Sequence, residues 1–507
     1  MEADSVQKIL IVGAGISGMC TALAVSKKYA ERNVQITVIE RDLPPPDGDA
    51  DEAFFQWNRR GAAQFRHPHA FLGLVCNILQ DNYPDLVASF WEAGARKVEF
   101  KDMLSPELME NYLAEPGDTK LWLLMCRRAT IETVLRRYVE AQSNIEVRNA
   151  GIVNGIVVDS SDDIPIVKGI SLRPKERDQG DEIIESDVLI DASGHTSQFS
   201  KWLKVHGVEI EEEREAAEIV YYTRHYKLLP GVEEPPRIGK ERSAGDLGYI
   251  KFGVFPGDNG HFAVIICLPM DEKLLRKAVK SGETFDAIVN AIPGVARWVS
   301  DEVSESTTYP FGFSDIHAVW RGFASNNEAQ VLNFFAVGDA AVRTNPLYGR
   351  GCSTGALHAH LLADVLGDLS DPIDRALEYD RQTRDKIRPI FEASLNEDRR
   401  GIKRANALAA GDAIEGADTL KKRIQLSIGD AIGAAARDQI HVLRGAMRTF
   451  NLLEKPGAFM SDWSIRFTIF RYLFRGRKEN AKARFQPGPS RSEMIEIVEK
   501  NTRVGGD

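Results

Sequence analysis

The tightest constraint on this chain lies near its start. Residues 8–12 (KILIV) have the apolar character of a buried strand, a glycine turn follows at Gly13-Ala14-Gly15, and small and apolar residues then recur at helical spacing as far as Tyr29. The next run, VQITVIE at 34–40, is β-branched and strand-like and stops at the turn-rich RDLPPPDGDAD. Together they make one βαβ unit. Within it Gly13, Gly15 and Gly18 form GxGxxG, and Glu40 stands 22 residues after Gly18 at the end of the second strand. The first glycine permits the tight turn, the second lets backbone approach a pyrophosphate, and the third lets the helix pack closely on the sheet. The phosphates then meet the positive end of the helix, and the acidic residue accepts hydrogen bonds from a ribose. The unit predicts a bound dinucleotide without choosing between NAD and FAD, which use the same device.

Such a unit needs a large body around it, and the composition supplies one. With 507 residues, 43% hydrophobic and 27% charged, the chain has room for two to four domains or one interleaved body. Lys+Arg 64 against Asp+Glu 74 leaves a net charge of −10, so nothing global offsets phosphate repulsion and no nucleic-acid partner is expected. Cys20, Cys76, Cys126, Cys267 and Cys352 are odd in number and contain no CxxC pair. Neither a disulfide framework nor a zinc ribbon is expected, no metal is assigned, and reduced thiols fit a cytoplasmic location. The seven residues before the first apolar run are too few for a secretory signal. No apolar stretch approaches the roughly 20 residues that span a bilayer.

Further along, a helix-forming stretch is expected from about Gly61 through AFLGLVCNILQDNYPDL, then a strand at 121–126 and a helix at 129–141. Short strands over 145–173 lead to DVLID (187–191), a buried parallel strand ending in Asp191-Ala192-Ser193-Gly194. Residues 215–325 change style, with alternating stretches such as YIKFGVFP and HFAVIICLP that suit a separate antiparallel sheet. The buried pattern returns in VLNFFAVGDAA (331–341) and leads into a long helix from about Ser353. Beyond 375 the chain reads as helical, with a break at PGPS (487–490).

Residues 338–355, GDAAVRTNPLYGRGCSTG, follow directly on that last buried strand. Asp339, just past a strand end, suits a ribityl or ribose hydroxyl. Pro346, Gly349 and Gly351 shape a turn whose backbone can approach an aromatic ring, and the helix after it aims its N-terminus where a reduced flavin gathers negative charge. With GxGxxG at the start, DASGHTS at 191–197 and Gly338-Asp339 before Pro-x-x-Gly-x-Gly, the chain resembles the FAD-dependent monooxygenases of the para-hydroxybenzoate hydroxylase type. The order and separations match over roughly the first 375 residues. QFRHPHAFL (64–72), DASGHTSQFSKWL and Asn345-Pro346-x-Tyr348-Gly349-x-Gly351 are more similar to the flavin epoxidases of polyether biosynthesis. Arg350 and Cys352 depart from the residues common there, and Asp191-Ala192-Ser193-Gly194 replaces a plain Asp-Gly.

The resemblance implies an α/β fold in which a Rossmann-like FAD-binding domain (1–75, 120–214 and 326–375) is interleaved with a mostly antiparallel substrate domain (76–119 and 215–325). A helical C-terminal region (376–507) follows. It implies FAD held by Gly13, Gly15, Gly18, Glu40, Arg41, Arg66, Arg128, Asp339, Pro346, Gly349 and Gly351, with Arg66 expected at the phosphates. It also implies insertion of one oxygen atom from dioxygen, through a flavin C4a-hydroperoxide, into a lipophilic or aromatic small molecule by epoxidation or hydroxylation. No acid or base can be named; Arg350, Tyr348 and Asn345 are the catalytic candidates, and Arg350 reads equally as a surface guanidinium. No second GxGxxG follows a strand, so NAD(P)H is expected as an external electron donor, or a separate flavin reductase supplies reduced FAD.

The remaining motifs read more plainly. His67 and His69 suit cofactor or pocket contacts better than a metal. Cys352 reads as packing rather than as a nucleophile, and His358 and His360 as helix residues. DWSIRFTIFRYLFRGRK (462–478) is expected to be a core-facing helix, with membrane-surface contact as the less favoured alternative. No Trp-x-Trp pair is present, against a flavin halogenase. A flavin-dependent reductase of isoprenoid double bonds and a non-catalytic prenyl-protein escort are the rival readings.

Overall fold

The computed structural model describes residues 6–149, 151–174, 180–238, 241–325, 327–409 and 416–504. Residues 1–5 and Asn326, where two of the expected segments begin, lie outside the described residues. Five parallel strands form the centre, in the order Phe334–Ala336, Val188–Asp191, Gln7–Val12, Val34–Ile39 and Ile145–Arg148. Alternation decides which core each side chain joins. Ile9 and Ile11 enter one core with Ile36, Val38 and Ile190, whereas Leu10 and Val12 enter the other with Ile39 and Leu189. With both faces covered, the strand interiors are apolar throughout, which is why these segments read as continuous runs. Helices Ile16–Lys28, Arg128–Glu140 and Gly351–Asp368 cover the first face. Val167, Ile170 and Leu172, on the antiparallel strand Ile166–Pro174, cover the second with Trp320 and Phe391.

A six-stranded antiparallel sheet forms the second body, around the pairing of Ile219–Leu228 with His261–Pro269 and of the latter with Lys251–Pro256. Val220, Tyr222, Ile266 and Leu268 face helices Lys273–Ala278 and Gly282–Asn290, and Met494 of Arg491–Val504 joins that core. The alternate residues Tyr221, Ile265 and Cys267 face the other way. The interleaved α/β fold with its antiparallel sheet and helical C-terminal region is therefore present.

Several boundaries are corrected. The helix expected from Gly61 begins at Gly73: tight turns occupy 62–67, and Pro68–Phe71 is a strand on Trp122–Arg127. Pro68 has no N–H to donate within a helix, and Pro84 opens a second helix, Pro84–Glu92, directly after Gly73–Asn82. Val75, Leu79, Leu86 and Phe90 on these two helices pack in the core of the parallel sheet, so no break in packing falls at 75/76. An amphipathic helix goes where its apolar face is covered, and chain order does not say which sheet covers it. The boundary at 214/215 cuts the strand Glu211–Ala216, which pairs with His317–Gly322 in a separate three-stranded sheet.

Two glycines of the first turn do different work. A β-carbon on Gly18 would overlap the carbonyl oxygen of Gly13, whereas one on Gly15 would meet nothing within 4 Å. Gly18→Ala is expected to cost about 1–3 kcal/mol in urea unfolding of the flavin-free protein, the range for overpacking. Gly15→Ala is expected to leave the midpoint where it is. Equal effects of the two would contradict this division.

Candidate functional site

The carboxyl ends of three neighbouring strands, Gln7–Val12, Val188–Asp191 and Phe334–Ala336, carry the three turns, and the turns touch. Gly13, at φ +109°, lies so close to the DASG turn that a β-carbon would overlap Ala192 O. Gly338, at φ +58°, and Gly355 both abut Ser17, and a β-carbon on either would overlap its hydroxyl. The first and last turns, more than 300 residues apart in the chain, are thus in van der Waals contact. They open on one cavity of about 580 Å³. Gly13, Gly15, Glu40, Arg41 and Arg128 line it together with Asp339, Pro346, Gly349, Gly351 and Cys352. Tyr221, Phe252, Phe255, Ile265 and Lys251 of the antiparallel sheet and Phe450 of the C-terminal region complete its wall.

A buried ionic network organises one part of this wall. Glu40 accepts hydrogen bonds from Ala14 N (2.8 Å) and Asp42 N (2.9 Å) and lies 3.2 Å from the Arg59 guanidinium. Arg59 also donates to Glu132 (2.8 Å) and to Ala14 O (3.2 Å). Glu132 in turn accepts from Arg128 at 2.5 Å. Burial opposes the charge on Glu132, but Arg59 and Arg128 outweigh it and hold its carboxyl below the usual range. His69 donates from Nδ1 to His67 O (2.8 Å), leaving Nε2 to accept from Arg128 at 3.1 Å. His67 pairs with Thr223 Oγ1 at 2.7 Å. Burial, with Arg128 adding, pushes both imidazoles down to about 3, so they are neutral. Neutral His69 thus holds Arg128, and neutral His67 ties the start of the strand Pro68–Phe71 to Thr223.

The residues fit a flavin dinucleotide. Helix Ile16–Lys28 starts at Gly15 with no side-chain cap, and helix Gly351–Asp368 starts at Arg350 likewise uncapped, so both N-termini face the cavity with free amides. Open space lies in front of Gly15. Asp339 lines the cavity with no side-chain hydrogen bond from the described residues; burial raises its carboxyl, and Arg343, His195 and Arg128 oppose that rise through charge alone. An acceptor so placed suits a sugar or ribityl hydroxyl. Gly349, at φ +66°, turns the backbone that ends at Gly351.

Other expectations are revised. Arg66 is exposed, bonds Phe55 O at 3.4 Å and does not line the cavity; Arg59, seven residues earlier, is the buried arginine there. Gly18 serves helix packing rather than the cavity wall. The three catalytic candidates turn away toward helix Arg388–Ala409. Asn345 donates to Asp398 at 2.7 Å and Tyr348 donates to the same oxygen at 2.9 Å. Arg350 donates to Ser394 Oγ at 2.6 Å and pairs with Glu397 at 3.0 Å. A buried guanidinium takes the nearest carboxylate, and that one lies on the helix. Tyr348 still lines the cavity with part of its surface; Asn345 and Arg350 do not. Asp191 is spent on Ser193 and Ser197, which fix the DASG turn. Burial pushes the Cys352 thiol up to about 11, the reverse of an activated nucleophile. His358 is buried.

Sequence reasoning missed Arg59, Glu132 and Asp398. Only Glu132 carried a local signal, four residues after Arg128 on one helix. Arg59 sits in QWNRRGAAQFR, where nothing distinguishes it from the other two arginines, and Asp398 lies 53 and 50 residues from the Asn345 and Tyr348 that it holds.

No family model matches the chain, and no curated protein matches it in sequence. Solved structures do resemble it. The p-nitrophenol 4-monooxygenase PnpA from Pseudomonas putida DLL-E4 is 16% identical, with 90% of this chain and 100% of that one covered and a TM-score of 0.55. A triple mutant of the flavin-dependent brominase Bmp2 is 15% identical over 92% of this chain and 98% of that one, TM-score 0.55. PqsL, a probable FAD-dependent monooxygenase from Pseudomonas aeruginosa, is 15% identical over 79% and 96%, TM-score 0.52. At such identities the likeness speaks for architecture: this chain has the fold of the FAD-dependent monooxygenases.

Proposed function

We propose that the chain is an FAD-dependent oxidoreductase, a monooxygenase that adds one oxygen atom of dioxygen to a small organic substrate by epoxidation or hydroxylation. The observation that carries this reading is the single cavity on which both distant glycine turns and the apolar wall of the antiparallel sheet open at once. A cofactor that reaches from one turn to the other leaves the sheet wall for a substrate. Bound flavin supplies the activation of dioxygen.

The residues of the chain bind, orient and keep water out. The amides after Gly15, with Arg128 close by, meet the pyrophosphate. Glu40, already fixed by Ala14 N and Arg59, presents a carboxylate for the ribose. Asp339 accepts a hydroxyl, and the 346–351 turn carries the ring. Tyr221, Phe252, Phe255 and Ile265 offer an aromatic and aliphatic surface that excludes water from a lipophilic substrate. Lys251 is the one lysine in that wall and makes no ion pair among the described residues. Asp398, Ser394 and Glu397 position the turn from behind; they do not touch the reacting atoms. Electrons come from NAD(P)H bound transiently or from a separate flavin reductase, because the chain has no second dinucleotide fingerprint.

The purified protein is expected to be yellow, and its NADH- or NADPH-driven oxygen uptake to rise with a turned-over substrate. Product formed without oxygen uptake would favour the isoprenoid-reductase reading, and a protein that takes up no flavin would end both. Asp339→Ala is expected to weaken FAD binding about tenfold or more, the worth of a lost hydrogen bond to a charged acceptor. Arg350→Gln is expected to lose about 1–3 kcal/mol of stability by stranding the buried Ser394 hydroxyl and giving up the Glu397 pair, with kcat of the folded enzyme within about twofold of wild type. Slowed turnover at unchanged stability would return Arg350 to the chemistry.

A further inference from the structure

Helix Trp463–Leu473 has two apolar faces, and only one is used. Ile465, Thr468, Ile469 and Tyr472, spaced three, one and three apart, pack on Ala431, Ala434 and Ala435 of helix Leu420–Asp438 and on Phe459. The opposite face carries Trp463, Phe467, Phe470 and, just past the helix, Phe474, spaced four, three and four apart. These four are 79%, 65%, 56% and 76% exposed. The core-facing expectation therefore accounts for one face of the helix alone. Four large aromatics along about 16 Å of one helix face form an apolar patch that a soluble surface does not normally carry.

The charges around the stripe say what covers it. Residues 463–478 contain Arg466, Arg471, Arg475, Arg477 and Lys478 and no Asp or Glu, in a chain of net charge −10. At 100° per residue Arg466 and Arg471 fall on the two flanks of the aromatic stripe. Arg475 is drawn to Asp438 and Arg477 to Asp430, whereas Arg471 and Lys478 are exposed and make no ion pair among the described residues. A second copy meeting this face by a two-fold axis would set these cations against themselves. A negatively charged surface with an apolar interior satisfies both the aromatics and the arginines. No described helix is long and apolar enough to cross a membrane, so such contact lies in the interface plane.

We propose that this face docks the protein on an anionic lipid surface, with Trp463, Phe467, Phe470 and Phe474 inserted among the acyl chains and Arg466, Arg471 and Lys478 at the headgroups. The same helical region lends Phe450 to the cavity wall, since helix Ile440–Phe450 packs on this one through Ile465 and the His441–Thr468 hydrogen bond (2.9 Å). Docking would hold the cavity close to where lipophilic molecules partition.

The test is co-sedimentation of the full chain with vesicles of phosphatidylcholine alone or with about one part in three of phosphatidylserine. Binding is expected to the anionic vesicles only, to fall with salt, and to shift tryptophan emission to the blue in wild type but not in Trp463→Ser. The Phe467→Ser/Phe470→Ser pair, on the solvent side of the helix, should bind about tenfold or more weakly with an unchanged thermal midpoint. Failure to bind anionic vesicles would overturn the proposal. So would a concentration-dependent dimer in sedimentation that the same pair of substitutions dissolves, because the stripe would then be a subunit interface.

Discussion

The close contact among three turns at the carboxyl ends of neighbouring parallel strands, through backbone and the Ser17 side chain, is what the rest of the molecule depends on. Gly13 against Ala192 O, Gly18 against Gly13 O, and Gly338 and Gly355 against Ser17 leave no room for a β-carbon at any of these points. The parallel register of Gln7–Val12 with Val188–Asp191, and of that strand with Phe334–Ala336, brings the turns level. Helices Ile16–Lys28 and Gly351–Asp368 then pack on one face of the sheet with both N-termini at the same cavity. Loss of the close approach would separate the two helix ends and leave each turn as an isolated anion site.

Two supporting shells hold the turns from opposite sides. On the N-terminal side Arg59 and Arg128 share Glu132, and Glu40 and Asp42 complete a buried set in which each charge has an opposite partner. Such a set gains little net stability over apolar packing, but breaking it leaves an uncompensated charge, so it specifies one arrangement. On the C-terminal side Asp398 gathers Asn345 and Tyr348, and Ser394 and Glu397 hold Arg350. The turn that carries the ring in the proposed enzyme is thereby tied to a helix that the N-terminal fingerprint says nothing about.

Much of the fold was legible because it rests on local chemistry. The βαβ unit, the strand ending at Asp191 and the Gly338-Asp339 turn each announce themselves by apolar runs ending in glycine, and the structure sets all three around one cavity. Alternation along YIKFGVFP (249–256) and HFAVIICLP (261–269) likewise pointed to the antiparallel sheet. The rest depends on partners distant in the chain. Arg59 rather than Arg66 faces the cavity because Glu132, on a helix some 70 residues away, sits beside it. Arg350 turns from the cavity toward Ser394 and Glu397, 44 and 47 residues further along the chain. The helices at 73–92 join the parallel sheet although their own amphipathic pattern would suit either sheet, and the two-faced pattern of 463–474 cannot say which apolar face meets protein.

In the proposed enzyme one flavin dinucleotide is gripped at both ends by turns in contact. Calorimetric titration of the flavin-free protein with FAD and with FMN, which lacks the adenylate half, tests it most directly. One FAD per chain is predicted, with FMN at least about 100-fold weaker because the Gly13–Glu40 half of the cavity would stay unused. Equal affinity for the two, or no binding of FAD, would contradict the account.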